Sequence, residues 1–261
     1  VTEIIHLGLG FTTRRLAKRF LLRGIPTFAL VRNADRYLDL RSVGLYFNGF
    51  PKNATVIHTI PPLPPDEDEE LRQAIDSLEP RRVVYISSTG VYGSQTSVDE
   101  NSIASPDDAK GIRRIEDENR LRSGPWQTLI IRPAAIYGPG RGVHERILAG
   151  RAPRAEPVGI TSRIHVDDLA AVLEAGALSD LTGAWPLADD LPCATTELAA
   201  WCARLLGREV NPGWSRVISV AGRAVDGRKI RDLLGVELAY PTWESGVLAS
   251  LAETRFRQRP A

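Results

Sequence analysis

The chain is predicted to be an α/β protein: a doubly wound parallel sheet with a smaller, mainly helical C-terminal lobe. Three observations carry this. Short apolar runs alternate with helical patterns through the N-terminal half, a Gly-x-Gly turn follows the first run directly, and beyond residue 140 the pattern turns mainly helical. Strands joined through helices return by right-handed crossovers, which lays them parallel in one sheet. With 261 residues the chain suits one large domain or two smaller ones. The expected division is a sheet domain over 1–140, completed by parts of 160–190, and a partly interleaved lobe over 141–261.

EIIHL (3–7) reads as a short buried strand, and TRRLAKRFLLRG after it as a helix with Leu16, Phe20 and Leu21 on one face. TFALV (27–31), ATVIHTI (54–60), RVVYIS (82–87) and QTLIIR (127–132) are the further strands. DEDEELRQAIDSL is a helix whose acidic first turn complements the helix dipole, and the prolines of IPPLPP (60–65) make a rigid loop before it. PDDAKGIRRIEDEN (106–119) reads as a helix capped by Ser105, with Pro106 in its first turn and Gly111 inside it, where glycine costs about 1 kcal/mol relative to alanine. In the lobe, VHERILAG, HVDDLAAVLEAGAL, TTELAAWCARLLG and ESGVLASLAETRF are helical, with AWPLAD a strand between them.

The formal net charge of +1 provides no field for nucleic acid or an anionic membrane, so neither is expected as a partner. The tail ETRFRQRPA reads as a solvated helix end. Cys193 and Cys202, the two cysteines, read as free thiols of a reducing compartment, and a cytoplasmic location is expected. No apolar stretch approaches the roughly 18 residues of a membrane span. The histidines at 6, 58, 144 and 165 form no metal-binding spacing. Asp167 and Asp168 stand at a helix start, where capping is the simpler reading than paired acid/base work.

HLGLGFTT places Gly8 and Gly10 between the first strand and a helix, the context in which glycines allow a pyrophosphate to approach a helix N-terminus. Thr13 replaces the third glycine, and Thr12 and Thr13 offer hydroxyls. NAD binders carry an acid at the end of the second strand to hold the ribose 2′-hydroxyl. Here Arg32 and Asn33 occupy that place. A guanidinium matches the adenosine 2′-phosphate, so NADP(H) is the expected cofactor and NAD(H) the alternative; an exposed strand-end arginine is the simpler reading of the same residue.

YISSTGVYG (85–93), IIRPAAIYGPGR (130–141) and RIHVDDLA (163–170) follow in order. Together with the glycine loop and HTIPP (58–62), they resemble the extended and atypical short-chain dehydrogenase/reductases, specifically the epimerase/dehydratase-like branch. The resemblance spans most of residues 3–190 and implies a Rossmann-type fold with a dinucleotide across the carboxyl ends of the strands. It implies that Gly8, Gly10, Phe11, Thr12 and Thr13 meet the pyrophosphate, and that His58, Thr59, Ile60 and Pro61 pass beside the cofactor. Ser87 follows the next strand, Ser88 polarises a substrate oxygen, and Pro133 to Ile136 line the nicotinamide. Tyr137, Arg141, Arg163 and His165 fall where the family builds its substrate pocket, though Arg163 and His165 suit pinning the lobes together equally well. The implied partner is a small carbonyl or sugar-nucleotide-like substrate. Relatives of this kind often dimerise, so monomer and homodimer are both open.

The resemblance also exposes a departure. The family's proton carrier is a tyrosine with a lysine four residues later that lowers its pKa from about 10. Aligned on Gly111 and Glu118, the tyrosine position is Lys110 and the lysine position Arg114. Three readings stay open: Lys110 carries the proton after desolvation beside Arg114, Tyr92 supplies the phenol from another direction, or the chain binds dinucleotide without turnover as a sensor. On a solvated helix, Arg113 with Asp117 and Arg114 with Glu118 would simply be i,i+4 pairs.

Overall fold

The computed structural model describes residues 2–151, 159–209 and 222–257, the last three by backbone alone. The arginine side chains of the ETRFRQRPA tail lie outside the described residues. Six strands form the central sheet: β1 (Ile4–Leu7), β2 (Thr27–Leu30), β3 (Thr55–His58), β4 (Arg82–Ile86), β5 (Gln127–Pro133) and β6 (Gly183–Leu187). All pairs are parallel, in the order β6-β5-β4-β3-β1-β2. The chain turns one way from β1 to β2 and the other way to β3, so a crevice opens at the carboxyl end of β1. Beyond β2, Tyr46 adds a single parallel bridge to Phe28.

The helices are α1 (Phe11–Leu22), α2 (Pro65–Leu78), α3 (Ala109–Arg122), α4 (Val143–Leu148), α5 (Val166–Ala177), α6 (Thr195–Leu205), α7 (Arg228–Leu234) and α8 (Trp243–Arg257), with a helical turn at Leu38–Arg41. The near-continuous apolar runs of the strands follow from burial on both faces. One face packs Leu16 and Phe20 of α1 and Leu169, Val172 and Leu173 of α5; the other packs Ile75 and Leu78 of α2 and Leu121 of α3. Each such side chain fully buried contributes about 1.5–3 kcal/mol. AWPLAD therefore serves the main sheet as edge strand β6, paired with β5 and packed against α7. The lobe has its own core, in which Val143, Ile147, Leu198, Cys202, Trp243 and Val247 meet.

Helix α3 begins later than its sequence suggests. Its N-cap is Asp108, not Ser105: the Asp108 carboxylate accepts the Gly111 amide at 2.6 Å, a stronger cap than a serine three residues earlier provides. Gly111 thus lies in the first turn. The i,i+4 pairs expected on this helix are replaced, because Asp117 and Glu118 are buried and take other partners. Asp117 accepts from the Tyr85 hydroxyl at 3.3 Å, and Glu118 accepts from Ser87 and Arg132.

Candidate functional site

The glycine loop is built at the switch between β1 and β3. Gly8 has φ +82°, which an L side chain rarely adopts, and its amide donates to the Leu30 carbonyl at 3.0 Å. Gly10 caps α1, and its amide donates to Thr13 Oγ1 at 2.8 Å. The residue that departs from the third glycine is therefore used: its buried hydroxyl turns back to fix the loop. A Cβ on Gly10 would meet nothing within 4 Å, so the loop fronts open space. The first-turn amides of Phe11, Thr12 and Thr13 have no carbonyl within the helix to bond, which suits an anionic group. Thr59 Oγ1 donates to the Leu7 carbonyl at 3.3 Å, and Ile60 would lie 3.4 Å from a Cβ on Gly8. These residues, with Pro61 after them, form one wall.

The second wall follows β4. Ser87 is buried and donates to Glu118 at 2.6 Å. Ser88 accepts the Gly90 amide at 3.1 Å and caps the turn Thr89–Tyr92. Ser87, Ser88, Arg114, Arg141, Pro133 and Ile136 share a cleft of about 440 Å³. Lys110 is exposed on α3, so the desolvation that the proton-carrier reading required is missing. Arg114 is half-buried and reaches the Tyr85 hydroxyl and the Ile86 carbonyl, each at 3.4 Å. Tyr92 is 1% exposed, and its hydroxyl accepts from Arg132 at 3.1 Å beneath the turn. Burial raises its pKa, and Tyr92 is not among the residues that line the cleft.

Of the residues expected in a substrate pocket, Arg141 alone faces the cleft, its guanidinium 5.3 Å from the centre of the Phe11 ring. Arg163 is buried and donates to the Thr161 carbonyl at 2.9 Å, the Cys193 carbonyl at 3.2 Å and Thr195 Oγ1 at 2.8 Å. His165 sits 3.1 Å from the Ser250 hydroxyl and accepts the Asp167 amide. Burial pulls its pKa down to about 4, so the ring is neutral at physiological pH. Both residues are buried and hydrogen-bonded within the fold. Tyr137 is buried against α8, where a Cβ on Gly246 would come within 2.0 Å of its hydroxyl. Asp167 pairs with Arg15 at 2.7 Å, and Asp168 accepts the Ala239 and Tyr240 amides.

Arg223 escaped the sequence reading. It donates to the carbonyls of Thr89, Gly93 and Gln95, and so ties the loop after Ser88 to the lobe. Its neighbours are unremarkable in sequence, and only the fold brings residue 223 to residue 89. At the far end, Asn33 accepts the Asp35 amide at 2.9 Å as a local cap. Arg32 is 83% exposed in its side chain and pairs with Glu67 of α2.

No family model matches the chain. Its sequence is 30% identical over 161 residues to a 3-diazoavenalumate denitrifying reductase of Streptomyces sp, an overlap of 53% of this chain and 52% of that protein. The chain thus spans about half the length of that curated relative. A functionally unknown conserved protein from Silicibacter pomeroyi DSS superposes with a TM-score of 0.79 at 27% identity, covering 97% of this chain and 99% of that one. The Bordetella bronchiseptica enzyme WbmG, solved with NAD and UDP, gives 0.76 at 15% identity, covering 98% and 95%. The chain has the fold of the epimerase/dehydratase-like short-chain dehydrogenase/reductases. Within that fold the glycine loop, the Ser88 turn and the PAAIYG segment occupy the carboxyl edge of the sheet. No helix among the described residues is long and apolar enough to cross a membrane, and no group of three metal-binding side chains occurs among them.

Proposed function

We propose that the chain binds a nicotinamide dinucleotide across the carboxyl edge of its sheet and acts as an oxidoreductase or epimerase/dehydratase-like enzyme on a small carbonyl or sugar-nucleotide-like substrate. The observation that carries this reading is the loop at the sheet's switch point: a positive-φ Gly8, a Gly10 facing open space, and the free first turn of α1. Those features fit a pyrophosphate, and the denitrifying reductase relative supports redox chemistry. When bound, the cofactor supplies or accepts a hydride. Arg32 at the end of β2 favours NADP(H), because its guanidinium matches a 2′-phosphate. Ser88 at the cleft offers a hydroxyl to a substrate oxygen, Arg141 holds an anionic substituent, and Arg114 holds permanent positive charge beside the reacting centre.

A second reading is a cofactor-binding sensor without turnover. It is favoured by one observation: Lys110 is exposed and Tyr92 is engaged with Arg132, so neither replaces the family's phenol at the cleft. A panel of carbonyl compounds and sugar nucleotides with NADPH and NADH separates the two. Turnover that Ser88→Ala lowers by at least ten-fold supports the enzyme; cofactor binding with no turnover leaves the sensor.

A further inference from the structure

Arg32 and Glu67 form an arch over the end of β1. Arg32 follows β2 and Glu67 lies in the first turn of α2, which follows β3; β2 and β3 flank β1 on opposite sides. Two strand spacings, about 10 Å, separate those flanking strands. The guanidinium and carboxylate meet across that gap, with their side chains 83% and 45% exposed. Glu67 does not depend on Arg32 for its place. It sits in the first turn of α2 beside Asp66 and Asp68, where the helix dipole favours acids, behind the proline-stiffened loop 61–65.

The sequence lacks the acid that NAD binders carry at the end of β2 and has an arginine instead. The fold, however, delivers a carboxylate to that same arginine from α2. The geometry points to Glu67 as a residue that sets cofactor preference: its carboxylate competes with an adenosine 2′-phosphate for Arg32 and stands as an acceptor for the unphosphorylated ribose. This inference rests on the dinucleotide reading. A 2′-phosphate entering the arch must displace one anion from Arg32 and then remain beside it. An exposed ion pair is weak and screened by salt, so displacement is feasible but reduces the gain from the phosphate. A ribose with a free 2′-hydroxyl meets no such competition. NADPH preference in the native chain is therefore small despite Arg32.

The test is a fluorescence titration of NADPH and NADH on the native chain, Glu67→Gln, Arg32→Ala and the double variant, at low and high salt. Both positions are exposed, and a thermal melt verifies that each variant is folded. In Glu67→Gln at low salt, NADPH should bind about five-fold more tightly while NADH does not gain, a change matching about 1 kcal/mol. The gain should shrink at high salt and vanish when Arg32 is also removed. Unchanged NADPH affinity in Glu67→Gln, or an equal gain for both cofactors, overturns the inference while leaving the dinucleotide reading intact. Binding of neither cofactor to any of the four proteins overturns both.

Discussion

Gly111 shows how a single atom can be excluded by packing. A Cβ there would stand 2.7 Å from Pro106 Cβ, 3.1 Å from the Gly90 carbonyl oxygen and 3.2 Å from Asp108 Oδ1. Alanine improves helix propensity by about 1 kcal/mol, but the added Cβ forces Pro106 to shift and crowds the Gly90 carbonyl and the capping carboxylate. Gly111→Ala should therefore destabilise the fold by about 1–3 kcal/mol in urea denaturation. The sequence marked this glycine as odd; its reason is crowding by Pro106 before the helix and by the Gly90 carbonyl of the Ser88 turn, which spacing along one helix does not reveal. Asp189 was invisible for a related cause. It is 2% exposed. Burial pushes its pKa up to about 8, and the opposing influences of Arg163 and the Leu191 amide are smaller. Between the unfolded value near 4 and that folded value, the native state holds a proton the unfolded state has released. Stability from this group is complete below about pH 4 and is lost as pH rises toward 8. Asp189→Asn should flatten that part of the melting-temperature profile and raise the melting temperature at pH 8; an unchanged profile would remove Asp189 as its source.

Helix α3 is held to the sheet by a buried polar hub. Glu118 accepts from Ser87 Oγ at 2.6 Å, Arg132 Nε at 3.0 Å and Arg132 Nη2 at 2.6 Å, and it has no solvent exposure. Removing one partner leaves the other charge buried and uncompensated, which costs about 3–5 kcal/mol. Glu118→Ala should show that loss, and adding Arg132→Leu should recover part of it in a double-mutant cycle. Full additivity would mean that the pair is not coupled. The sequence placed Glu118 on α3 and Arg132 on β5, but it paired Glu118 with Arg114 because helical spacing sees only neighbours four apart. Strands were more legible: five of the six sheet strands read directly from short apolar runs, since both sheet faces are covered. AWPLAD was legible as a strand, yet nothing in its composition told that it would pair with β5.

Across the molecule, the carboxyl edge of the sheet gathers residues that lie far apart in the chain. The glycine loop, the Ser88 turn and the PAAIYG segment carried enough local signal to be found from sequence. Arg223 holding three carbonyls of the Ser88 turn, and Glu67 meeting Arg32, depend on topology and carried none. Tyr137, Arg163 and His165 were found as a motif, but their burial and the partners Thr195 and Ser250 were not legible in it. The proposed dinucleotide cradle is the feature on which the proposed function depends. A fluorescence titration of the native chain with NADPH and NADH tests it directly. Saturable binding below near-millimolar cofactor is the predicted result, weakened strongly when Gly10→Leu fills the open space before α1. No binding of either cofactor up to near-millimolar concentration would contradict the account.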